Sequence, residues 1–171
     1  MRRLILMRHA KSAWDDPEAE DRDRPLARRG RLAATLMGAL LAEDGLVPEA
    51  ALISDARRAR ETWDRTAAAS GADAARARIL PALYMAEPET SLAALRGAPA
   101  AAETVLMVGH EPGTTAFLRA MSDGTEGAGA RRAYEKFPTA AVAVLEFGAP
   151  WAEAGFGGAR VVAFHRPKDL V

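Results

Sequence analysis

The sequence contains no cysteine, which removes disulfides, thiolate nucleophiles and cysteine-ligated metals together. It has no excess of either charge: 23 Lys+Arg balance 23 Asp+Glu. No global basic field therefore points to nucleic acid or to an anionic membrane. Three histidines, His9, His110 and His165, lie far apart, and the HxxxH and HExxH spacings of metal sites do not occur. Long hydrophobic runs are lacking too, since no stretch approaches the ~20 apolar residues of a membrane helix. Met1-Arg2-Arg3 could open a secretion signal, but the apolar run behind it ends at Arg8, well short of a signal core. These absences give the expectation of a cytoplasmic protein, with no metal or other cofactor and with neither nucleic acid nor membrane as partner.

What is present is ordinary globular composition: 49% apolar and 27% charged residues in a chain of 171. A chain of that length buries roughly 70% of its unfolded surface, and residues 1–171 are expected to form one domain. Short apolar runs alternate with helical patterns, the signature of an α/β fold. Leu4-Ile5-Leu6-Met7 reads as a buried strand, as do Ala51-Leu52-Ile53-Ser54 and Thr104-Val105-Leu106-Met107-Val108. The last is apolar throughout and is expected to be central. A weak strand is expected at 78–80, a clear one at 141–147 and a last one at 160–166, the last two as an antiparallel edge on a mainly parallel sheet. A helix is expected to begin with Pro25 at its first position, to follow Leu26, Leu32, Leu36, Leu40 and Leu41, and to stop at Gly45. Others are expected over 55–69, 88–95 and 114–121. Residues 15–24, dense in Asp, Glu and Arg, read as a solvated loop. Residues 122–130, rich in glycine, read as a flexible one.

Several expected strands end in polar residues that their hydrophobic runs do not require: Arg8-His9, Ser54 with Arg58 a turn into the next helix, and Gly109-His110. In a parallel sheet these would share the carboxyl edge, where open α/β sheets bind ligands. Two histidines and two arginines on one spot describe an oxyanion site containing a nucleophile, because guanidinium offers forked donors suited to phosphate. Amides at the start of the helix behind His110 are expected to add to the anion field.

The residues around these strand ends also carry a resemblance. The run LMRHAKSAW is similar to the Arg-His-Gly signature of the histidine phosphatase superfamily, SDARRARET to its second block and VGHEPG to its third. DRDRPLARRGR, LPALYMAE, KFPTAAVAVLEF and FHRPKDL further resemble the small SixA-type phosphohistidine phosphatases. The resemblance implies a single three-layer α/β/α domain of phosphoglycerate mutase-like fold with a mixed, mainly parallel sheet. It implies that His9 is the nucleophile and that Arg8, Arg58 and His110 hold the phosphoryl oxygens, with Arg58 selected over Arg57. Ser12 and Lys11, which follow His9, are candidate phosphate contacts. Ser54 is expected to organise its turn, and His165 to be structural or exposed. Tyr84, Trp14 and Phe137 fit either a pocket mouth or the core.

One departure bears on substrate. Larger superfamily members carry a Glu near the LPALY segment as general acid, where this chain has Ala82 and Leu83. Glu87, Glu111 and Glu61 are the remaining acid/base candidates. A sugar alkoxide leaves poorly without such an acid, whereas imidazole can be protonated beforehand and depart neutral. The expected substrate is therefore a phosphohistidine-containing protein. The alternatives are a small-molecule phosphomonoester and, without turnover, a phosphate- or phosphoprotein-binding module. The basic stretch Arg131, Arg132 and Lys136 could meet an acidic partner or simply be solvated.

Overall fold

A computed structural model describes residues 1–127 and 129–170. Its centre is a seven-stranded sheet of order β3-β2-β4-β1-β6-β7-β5. The strands are β1 (Arg2–Arg8), β2 (Ala50–Ser54), β3 (Ala77–Leu80), β4 (Thr104–Gly109), β5 (Ser122–Glu126), β6 (Val142–Phe147) and β7 (Ala159–His165). β3, β2, β4 and β1 are mutually parallel, β6 runs antiparallel to β1 and β7 antiparallel to β6. The two most apolar runs, β1 and β4, are neighbours in the middle of the sheet, as strands covered on both faces must be.

Alternation along the strands feeds two cores. Leu4, Leu6, Leu52, Val105 and Met107 face α3 (Pro88–Arg96) and α4 (Gly113–Met121), packing on Leu92, Leu95, Phe117 and Leu118. Ile5, Met7, Ile53, Leu106 and Val108 face α1 (Arg28–Glu43) and α2 (Arg57–Ser70), packing on Ala34, Met37, Leu41 and Trp63. The result is the expected three-layer sandwich, with a short helix, α5 (Arg132–Glu135), before β6.

Three expectations need correction. The first helix begins at Arg28 and not at Pro25. Leu26 is instead extended and bridges Ser12, the Pro25 carbonyl accepts the Ala13 amide at 2.8 Å, and the Leu26 amide is taken by Glu61 at 2.8 Å. Nor does the leucine stripe as a whole mark the buried face: Leu41 is buried, but Leu32 is 61% exposed and Leu36 and Leu40 are only partly buried, while Gly30, Ala34, Met37 and Gly38 share the buried face. Small residues win because α1 packs closely on its neighbours. A β-carbon on Gly38 would lie 2.5 Å from the Thr66 carbonyl oxygen of α2, and one on Gly30 would lie 2.1 Å from the Lys11 carbonyl oxygen. Finally, β6 and β7 do not form the sheet edge. The stretch read as a flexible loop contains β5, which pairs parallel to β7 outside them; residue 128 of that stretch lies outside the described residues.

These close approaches yield a paired prediction. Alanine is intrinsically the better helix former by about 1 kcal/mol, but overpacking against backbone costs about 1–3 kcal/mol. Gly38→Ala should therefore lower the denaturant midpoint. Gly30→Ala should do so too and, by displacing Lys11 next to the Arg8-His9 turn, should also weaken anion binding. Equal or higher midpoints in urea melts of both variants would refute the packing argument.

Candidate active site

Strand register builds the site. Arg8 pairs with Gly109 across β1 and β4, so His9 and His110 leave the sheet side by side, and the His9 amide donates to the Gly109 carbonyl at 3.1 Å. Their rings are 5.2 Å apart between centroids. On the other side of β4, Ile53 pairs with Val108, which brings Ser54 up to His110. The Ser54 hydroxyl and His110 Nε2 are 2.7 Å apart. Arg58 enters from the first turn of α2 and places Nη2 3.3 Å from His110 Nδ1. Because a guanidinium only donates, His110 Nδ1 is the acceptor, and its Nε2–H donates to Ser54. Ser54 thus does more than organise its turn.

His9 is held in one tautomer. Its Nδ1–H donates to the Ala10 carbonyl at 2.7 Å, leaving the Nε2 lone pair free. The Ala10 peptide is fixed from its other side by α2, where Thr62 Oγ1 accepts the Ala10 amide at 2.9 Å and donates to the Arg58 carbonyl at 2.7 Å. The Ala140 amide donates to both the Arg8 and His9 carbonyls at 3.1 Å. Ala140 does this with φ of 64°, the left-handed region that favours glycine. Such strain persists only where surrounding packing imposes it, and Ala140 is fully buried.

Both histidines are kept neutral. Burial, followed by the charges of Arg58 and Arg8, lowers the His9 pKa to about 4. Burial and the neighbouring His9 lower that of His110 to about 3. Arg8 Nη1 donates to the Phe137 carbonyl at 3.1 Å, but its buried Nε–H has no partner among the described residues. An unpaired buried donor on a cation costs more than an ordinary hydrogen bond returns, and an anion beside His9 would satisfy it.

The charged loop 15–24 is not simply solvated, and sequence reasoning missed its part in the site. Asp21 accepts from Arg58 twice, at its carbonyl (2.7 Å) and at Oδ2 (2.9 Å). Its carboxylate also accepts from Arg24 Nη1 at 3.0 Å and from the Tyr84 hydroxyl. The Tyr84 and Arg58 hydrogen bonds hold the Asp21 carboxyl down at about 2, below the usual carboxylate range. Arg24 is buried, donates to Ser12 Oγ, and stacks on the exposed Trp14 with its guanidinium carbon 3.1 Å from the ring centroid. The Tyr84 ring packs edge-on against His110 at 5.3 Å.

The remaining sequence candidates scatter. Arg57 pairs with Glu61 on the exposed side of α2, and Glu61 otherwise caps Leu26. Glu87 is exposed at the start of α3. Glu111 binds the Thr115 amide at 2.7 Å and its hydroxyl at 2.6 Å, while the Thr114 amide goes to the His110 carbonyl. Of the first-turn amides of α4 expected to face an anion, those of residues 114 and 115 are therefore consumed locally. Ser12 is engaged by Arg24, Lys11 is half-buried beside it, and His165 lies outside the site, 3.7 Å from Asp44. Phe137 is core and contributes only its carbonyl. No group of three or more His, Asp or Glu side chains among the described residues is placed to hold a metal, and no helix among them is long and apolar enough to cross a membrane.

Two histidines held neutral thus lie beside Arg8 and Arg58 at the carboxyl edge of an α/β sheet, an arrangement of donors suited to an oxyanion. The profile of the histidine phosphatase superfamily (branch 1) matches residues 4–84. An uncharacterised protein of Mycobacterium tuberculosis is 43% identical over 164 residues, covering 95% of this chain and 100% of that protein. Among solved structures, a protein assigned as the phosphohistidine phosphatase SixA of Nakamurella multipartitia superposes with a TM-score of 0.81 at 33% identity, covering 97% of this chain and 96% of the other. One so assigned from Agrobacterium tumefaciens gives 0.77 at 30% identity, covering 97% and 98%. The chain belongs to the histidine phosphatase superfamily and is a phosphatase of the SixA type.

The electrostatics make a prediction that does not depend on turnover. By NMR, His9 should titrate near pH 4 and not near the ordinary 6.5, and added inorganic phosphate should raise that value, because an anion favours the imidazolium. Linkage fixes the sign for stability. Between pH 6.5 and 4 the unfolded chain binds more protons at His9 and His110, so stability falls as pH is lowered through that window. A His9 titrating near 6.5, unmoved by phosphate, would contradict the site.

Proposed function

We propose that this phosphatase hydrolyses phosphohistidine in proteins, through a covalent phosphoryl-His9 intermediate. The observation that carries the nucleophile is the His9 ring, locked by Ala10 with Nε2 unprotonated and free. In the first step Nε2 attacks phosphorus, the N–P bond of the substrate breaks, and its imidazole, protonated beforehand on the other nitrogen, departs neutral. In the second, water attacks phosphorus, the P–Nε2 bond breaks, and the proton lost by water leaves with the released phosphate. Splitting one displacement into two is the advantage of covalent catalysis. Arg8, Arg58 and His110 spread the phosphoryl charge, and phosphoryl transfer depends largely on such positioning.

The carboxylates support the leaving group. Asp21 touches the arginine clamp but is held ionised, with a pKa of about 2, so it has no proton to give. Glu61 and Glu111 are tied to backbone amides, and Glu87 is exposed away from these contacts. An alkoxide would leave without help from any of them. A phosphoramidate needs none.

The test compares the wild type with His9→Ala on a phosphohistidine protein and on sugar phosphates. The variant should lose turnover by roughly 10³-fold or more, and the wild type should favour phosphohistidine. Arg58→Ala should cost roughly 10²–10³-fold, and Arg57→Ala little. Higher sugar-phosphate turnover would make the protein a small-molecule phosphomonoesterase, and phosphate binding without turnover of either would make it a binding module.

A further inference from the structure

A second cationic feature lies on the other side of His9 from Arg58. A cleft of about 360 Å³ is lined by Lys11, Arg29, Lys136, Arg166 and Lys168. The sheet explains its position. Met7 pairs with Val142, and Val142 with His165, so the start of β6 and the end of β7 lie at the same edge as the end of β1. Lys136 precedes β6, Lys168 and Arg166 follow β7, and Lys11 is two residues past His9, while Arg29 comes from the first turn of α1. The Phe137 carbonyl that holds Arg8 lies next to Pro138 in the cleft wall.

Among the described residues, no carboxylate lines the cleft. Asp169 sits outside the lining and pairs with Arg166 at 2.8 Å and with Arg132 at 3.4 Å. Arg131 pairs with Glu126 at 3.6 Å. Of the basic stretch singled out in the sequence, Lys136 alone turns into the cleft. Lys11, Arg29, Lys136 and Lys168 form no ion pair among the described residues, and the last three are exposed. Like charges gathered this closely repel one another and are relieved by a complementary anion.

We propose that this cleft docks an acidic segment of the phosphorylated protein substrate, next to its phosphohistidine; the proposal rests on the reading of the active site given above. The chemistry of the lining favours carboxylates over a second phosphate. The phosphoryl clamp sets the buried Arg58, the half-buried Arg8 and the buried His110 in fixed geometry, whereas the cleft presents three lysines, compact point charges on flexible stems, beside the exposed Arg29 and an Arg166 already held by Asp169. Such stems follow carboxylates spread along a peptide, and Pro138 and Pro167 give the walls an apolar surface for Glu side-chain methylenes. Rim charges of this kind act on encounter and ground-state binding, so their effect belongs in KM.

The experiment uses two phosphohistidine peptides, flanked by Glu in one and by Gln in the other, with phosphoramidate as a small probe. Wild type and the double variant Lys136→Glu/Lys168→Glu, altered at exposed positions outside the clamp, are compared. Wild type should favour the Glu peptide by roughly tenfold in kcat/KM through KM, an effect weakened by salt. The double variant should lose that preference and turn over phosphoramidate within about twofold of wild type. Equal use of both peptides by wild type, or a preference that survives in the variant, overturns the proposal. A variant-sensitive preference for a sugar bisphosphate over a monophosphate, with none for the Glu peptide, also overturns it and assigns the cleft to small polyanions. Binding of the unphosphorylated peptides to His9→Ala, followed by fluorescence anisotropy, separates this proposal from the catalytic one. Tighter binding of the Glu peptide there supports the cleft even if no phosphohistidine is hydrolysed, and equal binding overturns it.

Discussion

The whole site depends on one register, that of β1 against β4. Pairing Arg8 with Gly109 sets the next residue of each strand, His9 and His110, side by side with ring centroids 5.2 Å apart. A slip of one residue would turn every side chain of a strand to the opposite face, and with it exchange Leu4 and Leu6 for Ile5 and Met7 between the two cores. The hydrophobic alternation that fills those cores therefore also enforces the alignment of the histidines. Packing energy and site geometry are the same constraint here.

Burial then converts position into chemistry. The histidines are 8% and 4% exposed, and desolvation is the leading cause of their lowered pKa values. Arginines cannot lose their charge on burial as histidines do, so the buried Arg58 and the half-buried Arg8 need counter-groups. Arg58 has Asp21 and the imidazole of His110. Among the described residues, Arg8 has one carbonyl acceptor and a buried N–H without a partner. The asymmetry leaves unsatisfied positive character on the His9 side of the clamp.

The parts legible in the sequence are those decided by local pattern. β1 and β4 declare themselves as apolar runs stopped by polar residues, and the end of α1 by Gly45, with φ of 69°. The buried face of α1 was not legible, because Leu32 and Leu36 look more like core than Gly30 and Gly38. Only contact with Lys11 and Thr66, set by tertiary packing, favours the glycines. β5 was hidden for a related reason: Ser-Asp-Gly-Thr-Glu has no strand alternation and is extended by pairing with β7. Asp21 was hidden in a charged run because its partners are Arg58, 37 residues on, and Tyr84, 63 residues on. The signal that could have found it is Arg58, an arginine expected in the first turn of the helix after β2 and in need of a counterion.

Asp21 also links the clamp to the choice of leaving group. Three donors on one carboxylate, from Tyr84, Arg58 and Arg24, orient the arginines and at the same time depress its pKa to about 2. A carboxyl that organises cations in this way cannot also be the acid that protonates a leaving group at neutral pH, since the contacts that orient the cations also favour its ionised form. A site with a structural carboxylate at the clamp must then either recruit a second, proton-bearing one or accept substrates whose leaving group carries its own proton. Ala82, where a larger relative has its acid, closes the first route at that position. Under the proposed function, what remains is a nucleophile and a charge clamp suited to an N–P bond, so that the ion pair between Asp21 and Arg58 serves the proposed choice of leaving group as well as the structure.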